Sequence, residues 1–323
     1  MKRRILPLSF VSLLAVSACS GHHYGDMSQY VAAEFNYKNN FRILQLTDLH
    51  LSDKDTRDIH YKFMDLTVND AKPDMIVVTG DLFTFASMNV AKELFDYLDS
   101  KGVPWTVTLG NHDEQCYFSV DWVTNYLNNY GSNCVFKDLQ DDDLQGNCNF
   151  VINLKENGKV RDQIFIMDSN RYYYGDYFGY DFFKPEQIQW YEDMVKYTKD
   201  QNGGTVNSLM FYHIPLPEIN DAWEKGEKIY DKGEKREACC PPDYNSGFFK
   251  KIKELGSTSA MFFGHDHVNN FINKYEGVIF GYGIKSTDRI YHADDMMGGR
   301  VIILKDDHSL DYQHIYHQYS EVK

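Results

Sequence analysis

Beyond residue 18 the chain has no apolar run long enough to cross a bilayer, so no transmembrane span is expected in its body. Basic residues are also scarce. Lys and Arg number 33 against 47 Asp and Glu, a formal net charge of −14, and the acids are spread along the chain. Such a body argues against a basic face for polyanions, and no nucleic-acid binding is expected. A small phosphorylated ligand is not excluded, because bound cations reverse the local field. Cysteine is sparse and no CxxC pair occurs. Past Cys19 there are Cys116, Cys134, Cys148, Cys239 and Cys240, an odd set that leaves one thiol over if disulfides form. Without CxxC spacing, Cys239 and Cys240 read as structural rather than as a thiolate metal site. Repeats, low-complexity tracts and a clear internal linker are missing too, which predicts one domain over residues 39–323. What the chain has in quantity is aromatic surface, 24 Tyr and 21 Phe within a 43% hydrophobic composition, enough to close a large core.

The first residues read as a targeting segment. Lys2, Arg3 and Arg4 precede a short apolar stretch, Ile5 to Val16, and then Val16-Ser17-Ala18-Cys19. Basic start, short apolar middle and small-residue end are the marks of a cleaved export signal. The last four residues resemble a bacterial lipoprotein cleavage box with Cys19 lipidated; an ordinary signal peptide cut near Ala18 or Ser20 is the alternative. The expectation is a leader over 1–19, a polar tether over 20–38, and an exported protein held at the membrane by a lipid anchor only.

Downstream, β-rich apolar runs alternate with amphipathic stretches. Phe41–Leu46, Asp74–Thr79 and Trp105–Leu109 read as strands. Between them, Asp58–Asn69, with Ile59, Phe63 and Leu66 on one face, and Val90–Leu98 read as helices. This order is the signature of parallel βαβ units in an α/β fold. Further on, Asn149–Leu154 and Gln163–Met167 read as paired strands about a Glu156-Asn157-Gly158 turn. Residues 170–183 form an aromatic loop, and Pro185 opens a helix to about Lys199. Ser208–Tyr212 reads as a strand, 220–242 as a long charged loop, and Phe248–Leu255 as a helix. Strands are expected at Ala260–Phe263, Val278–Phe280, Val301–Leu304 and Leu310–Tyr316.

Strand after strand runs into a metal-capable side chain. The series is Asp48-Leu49-His50, Gly80-Asp81, Gly110-Asn111-His112-Asp113, His213, and Gly264-His265-Asp266-His267. Ligands in open α/β sheets bind beyond the carboxyl ends of strands, so these segments are expected to share one rim. The glycines are expected to permit the sharp turn that leaves each strand. Each motif alone is weak, since Asp-x-His and Gly-Asp recur in unrelated chains. Five in order at five strand ends are not explained by chance. Imidazole, carboxylate and amide donors without thiolate suit Fe, Mn or Zn.

This ordered series resembles the calcineurin-like metallophosphoesterase superfamily. The flanking Ile214-Pro215-Leu216-Pro217, Asn245-Ser246-Gly247 and Gly264-His265-Asp266-His267-Val268-Asn269 are similar to its branch of plant and fungal purple-acid-phosphatase-like proteins. The resemblance implies two mixed β-sheets packed face to face and flanked by helices in four layers. It implies two divalent or trivalent metal ions, one held by Asp48, His50 and His267 and the other by Asn111, His213 and His265, with Asp81 bridging. It further implies phosphate-ester hydrolysis by a water shared between the ions, with His112 facing the substrate as acid; an imidazole titrates near neutrality, as that task requires. Asp113 either orients His112 or caps the following turn. One departure stands out. True purple acid phosphatases carry a Tyr ligand after Gly-Asp and lack the His of Asp-x-His, whereas here Leu82-Phe83-Thr84 follow Asp81 and His50 is present. Within the aromatic loop, Arg171 and Tyr172, with Tyr282 near the last motif, are the candidates for substrate contact. The substrate is expected to be a small phosphomonoester, with a phosphodiester as the alternative. His60, His292, His308, His314 and His317 lie outside the series and read as structural or solvated.

Overall fold

The structure, a computed structural model, describes residues 24–54, 57–176 and 178–323. The expected leader and its Cys19 lie outside the described residues. In chain order the elements are β1 (Val31–Asn36), β2 (Phe41–Leu46), α1 (Arg57–Ala71), β3 (Met75–Thr79), α2 (Met88–Asp99), β4 (Trp105–Thr108) and α3 (Val120–Asn128). Next come β5 (Phe150–Glu156), β6 (Lys159–Ile166), β7 (Tyr172–Tyr174), β8 (Phe178–Tyr180), α4 (Pro185–Asn202), β9 (Asn207–Phe211), α5 (Ile219–Glu224) and β10 (Glu227–Lys228). The chain closes with α6 (Phe248–Leu255), β11 (Thr258–Phe263), β12 (Ile272–Tyr275), β13 (Val278–Tyr282), β14 (Gly298–Leu304) and β15 (Leu310–Tyr316).

Two mixed sheets carry the fold. One has eight strands in the order β1-β5-β6-β9-β11-β13-β12-β10, the other five in the order β15-β14-β2-β3-β4. Strand residues alternate between two cores, as a period of two requires. On β6, Ile164 and Ile166 join the core between the sheets, while Phe165, and Met167 just past the strand, face the other way, toward α4 and α6. The inner core takes one face of each sheet and continues under α1, α2 and α3. The layers are therefore helix, sheet, sheet, helix. All five residues of β3 are buried, because helices cover one face of its sheet and the second sheet covers the other. Among the described residues no helix is long and apolar enough to cross a membrane.

Three local expectations are corrected. The stretch read as a polar tether is folded over its described part. Tyr24, Met27 and Tyr30 repeat at a spacing of three and are buried against the α4 side of the eight-stranded sheet. Tyr30 meets Trp190 edge-on at 5.6 Å, and Val31–Asn36 pair in parallel with β5. The loop read over 220–242 opens with α5, whose Ile219 and Ala222, also three apart, are buried. The buried stripe of α1 is His60, Phe63, Met64, Thr67, Val68 and Ala71, so of the face read through Ile59, Phe63 and Leu66 only Phe63 is fully inside. His60 joins that stripe because it has a partner there: its Nδ1 lies 2.8 Å from the Tyr319 hydroxyl.

Parallel pairing sets the direction of the functional strands. β2, β3 and β4 run together in one sheet, β9 and β11 in the other. The Gln45 side chain holds their carboxyl ends together, donating within its sheet to Thr79 Oγ1 at 3.0 Å and across to the Phe263 carbonyl of the other sheet at 3.1 Å. Phe211 and Phe262, 5.3 Å apart between the sheets, fill the layer beneath. Phe211→Ala should lower stability by about 3–5 kcal/mol, read as a lower denaturant midpoint at unchanged m-value.

Candidate metal centre

Each of the five strands delivers its motif at the same rim. Asp48 and His50 follow β2, Asp81 follows β3, Asn111 to Asp113 follow β4, His213 follows β9, and His265 to His267 follow β11. Asp48, His50, Asp81 and His267 are buried, and one ligand atom from each lies within 4.8 Å of all the others. The His50 and His267 Nε2 atoms approach to 3.0 Å. Asp81 Oδ2 lies 3.6 Å from His50 Nε2 and 3.3 Å from His213 Nε2, so one oxygen faces both halves of the cluster. Its other oxygen accepts the backbone N–H of His112 at 2.8 Å.

The second half is marked by atoms without partners. Asn111 Oδ1 and His265 Nε2 are buried and make no hydrogen bond, and His213 Nε2 faces only the Asp81 carboxylate. A buried polar atom left unbonded is costly, and two together beside a buried carboxylate call for a ligand. Their orientations are fixed from behind. His213 Nδ1–H donates to the Thr79 carbonyl at 2.8 Å, and His267 Nδ1–H donates to the Tyr291 carbonyl at 2.9 Å. Each such bond puts a proton on Nδ1 and turns Nε2 toward the centre, the nitrogen that a metal-ligating histidine offers. The Asn111 amide N–H donates to the Tyr172 hydroxyl at 2.9 Å, which aims Oδ1 inward. His50 Nδ1 is held by Thr84 Oγ1 at 2.8 Å. The donors fit a pair of hard-to-borderline cations.

Strain and tight clearance accompany this geometry. Asp48, His50, Asp81 and His265 all have φ between +48° and +83°, a region that side chains other than glycine rarely occupy. Such backbone persists where surrounding contacts over-determine it, and it clusters at functional sites. Asp48 is locked by the Thr47 hydroxyl at 2.7 Å on its carboxylate and by buried Lys285, whose Nζ donates to the Asp48 carbonyl at 2.8 Å. The glycines divide in role. Gly80, at φ +80°, makes the turn expected of it. Gly110 is needed for close approach instead, since a Cβ there would lie 2.3 Å from Asp81 Oδ1.

Electrostatics prepare the nitrogens. Burial pushes the His265 imidazole down to about 3 and that of His267 to about 2, and burial with the Lys285 charge also lowers His50. These rings are neutral and ready to ligate. His213 differs: burial opposes its charge, but the Asp81 and Asp48 carboxylates outweigh it and hold the ring up at about 10.

The remaining predicted residues sit as follows. His112 is half-buried, its ring 5.0 Å from that of His50, and its Nδ1 lies 2.7 Å from Gln115 Oε1. Asp113 does neither task expected of it. Its carboxylate accepts from Gly110 N–H at 2.7 Å and Phe83 N–H at 3.0 Å, tying the β4 loop to the β3 loop. Gln115 orients His112 instead. Tyr172 reaches the centre through its bond to Asn111. Its hairpin partner Tyr180 meets His265 edge-on at 4.3 Å. Arg171 is committed to Asn147 at 2.9 Å and Asp168 at 3.7 Å. Tyr282 is fully buried and donates its hydroxyl to Asp266, so it braces the last motif and is closed to substrate. The five described cysteines are free thiols. Sequence reading missed Gln115, Thr84, Lys285 and Tyr291. The i to i+3 spacing of His112 and Gln115 was the one local signal available.

A sequence profile described as calcineurin-like phosphoesterase matches residues 41–269, a span containing every ligand named above. The chain belongs to the calcineurin-like phosphoesterase family. Among its relatives, the "probable inactive purple acid phosphatase 14" of Arabidopsis thaliana is 30% identical over 77% of this chain and 71% of that protein. The Saccharomyces cerevisiae "phosphatase DCR2" is 27% identical over 72% of this chain and 44% of its own length. A dimetal phosphatase from Danio rerio shares the fold, with a TM-score of 0.53 at 13% identity over 86% of this chain and 98% of that one.

Because cations must displace the His213 proton, metal affinity should rise with pH through the neutral range, by about tenfold per unit for each proton released. Titration calorimetry in buffers of different ionisation enthalpy reads this directly; a binding heat independent of buffer would count against it.

Proposed function

We propose that this member of the family is an active phosphoesterase, acting on phosphomonoesters with two metal ions drawn from Fe, Mn and Zn. The observation that carries the reading is the pair of unpartnered buried atoms on Asn111 and His265, with His213 Nε2, beside the inward-facing atoms of Asp48, His50, Asp81 and His267. A pair of cations at such a centre acidifies a shared water and neutralises phosphoryl oxygens.

The chain's own residues do the rest. Asp81 holds both halves of the centre in register. The Tyr172 hydroxyl and the Thr79 and Tyr291 carbonyls fix ring and amide orientations, so little reorganisation accompanies reaction. His112 is the one imidazole of the motif series that is not fully buried, and Gln115 holds its Nδ1, leaving Nε2 to protonate the departing ester oxygen. His112→Ala should keep its metal content by elemental analysis and lose about 10²–10⁴-fold in turnover. Loss of metal along with activity would remove the acid role.

One observation favours a second reading, a binding protein without catalysis: the word "inactive" in the names of the Arabidopsis relatives. Against it stands the complete ligand set with His112. Chelation should abolish hydrolysis of p-nitrophenyl phosphate, and added metal should restore it; a protein that binds metal yet never turns over would decide for the second reading. Faster cleavage of bis-p-nitrophenyl phosphate than of the monoester would convert the assignment to phosphodiesterase. We further infer export and anchoring through Cys19, which labelled palmitate incorporation and its loss in Cys19→Ser would test.

A further inference from the structure

The Asp48-Leu49-His50 turn carries both of its ligands on left-handed backbone, φ +55° at Asp48 and +48° at His50. Such a turn cannot continue the ladder of β2, so its buried N–H and C=O groups need other partners. On one side the exit of β3 supplies them. Asp48, His50 and Leu51 N–H donate to the Gly80, Asp81 and Leu82 carbonyls at 3.2, 2.9 and 3.0 Å. On the other side runs the segment that leaves β13 for β14, crossing from the eight-stranded sheet to the five-stranded one. Three consecutive residues of that segment meet three consecutive carbonyls. Ser286 N–H donates to Thr47 at 3.0 Å, Lys285 Nζ to Asp48 at 2.8 Å and the Thr287 hydroxyl to Leu49 at 2.7 Å. Thr47 N–H donates back to Ser286 Oγ at 3.0 Å. All three residues are buried, where an ammonium or hydroxyl is costly unless it is bonded in this way.

We propose that Lys285, Ser286 and Thr287 are positioning residues for the Asp48, His50 and His267 half of the centre, and set its cation affinity apart from that of the other half. The inference rests on the two-ion reading and adds what makes the two halves unequal. Left-handed backbone at Asp48 and His50 persists only while surrounding contacts over-determine it. Removing one partner leaves a buried carbonyl or N–H unpaired, and the turn relieves that by moving, which takes Asp48 and His50 off a common point. The second half is braced from elsewhere, Asn111 by the Tyr172 hydroxyl and His213 by the Thr79 carbonyl. The halves do touch, through Asp81 and through the His265 N–H on the Asp48 carboxylate at 3.2 Å. A shifted turn therefore reaches the second half as well, but at one remove.

Neutral substitutions carry the test, because Lys285→Met would also remove a positive charge, which by itself favours a cation nearby. Thr287→Val keeps the shape and loses the hydroxyl, Thr287→Ser keeps the hydroxyl, and Ser286→Ala frees the Thr47 N–H. Metal-free protein is dialysed to equilibrium against rising manganese(II), and bound metal is counted by elemental analysis. Wild type should take up two ions. In Thr287→Val and in Ser286→Ala one uptake step should weaken about 10–100-fold, the usual loss when a partner behind a metal ligand is removed. The other step should move far less, and Thr287→Ser should restore uptake. His267→Ala should abolish the weakened step, which identifies it, while Tyr172→Phe should weaken the other. If either variant fails to fold by far-UV circular dichroism, the other decides. Equal weakening of both steps, weakening of neither, or weakening of the step that Tyr172→Phe affects overturns the positioning role and leaves the two-ion reading intact. A wild type that takes up fewer than two ions overturns both.

Discussion

The structure depends on one carboxylate held between two imidazoles from different sheets. Asp81 arrives from β3, with one oxygen 3.6 Å from His50 Nε2 on its own sheet and 3.3 Å from His213 Nε2 on the other. No single element could provide this arrangement. It needs two sheets packed face to face with their parallel strands ending at a common rim, and a bare Gly110 so that the β4 loop can pass over the carboxylate. The strained backbone at Asp48, His50, Asp81 and His265 is the local cost of that convergence. Cross-sheet bonds from Gln45 to Phe263, from His213 to Thr79 and from His265 to Asp48 offset it.

Around that carboxylate, the surrounding shell decides the chemistry more than the ligands do. Carbonyl oxygens behind His213 and His267 fix which nitrogen faces the centre. The Tyr172 hydroxyl fixes which end of the Asn111 amide faces inward. Burial keeps three histidines neutral, while the two carboxylates keep a proton on the fourth. The same carboxylates that attract cations therefore also attract the proton those cations replace. His112 stands apart because it is half-buried and borrows its orientation from Gln115, a neutral partner that steadies the ring without adding charge.

The legible part of the sequence was that which obeys a period or a position. The β2, β3 and β4 strands, the α4 helix behind Pro185 and the β5–β6 hairpin all followed from alternation, a missing N–H or a turn residue. So did the placement of metal-capable residues after strands. Where reading failed, the deciding partner was distant in sequence or the element was short. Asp113 found two backbone amides rather than its neighbouring imidazole. Tyr282 lay under a buried Asp266 rather than at the surface. The two-turn α5 and the Tyr24–Asn36 segment bury only a few residues, too few to show a period against their polar surroundings.

The sequence by itself determined which groups are present to bind metal and in what order along the strands, because strand ends and residue chemistry are local properties. It also carried the family resemblance, which is a pattern in one dimension. Tertiary structure alone decided which oxygen of Asp81 faces both halves, which nitrogen of each imidazole faces the centre, and which distant segment braces the Asp48-Leu49-His50 turn. Those are questions of distance between segments separated by up to some two hundred residues, and only the packing of the two sheets fixes such distances.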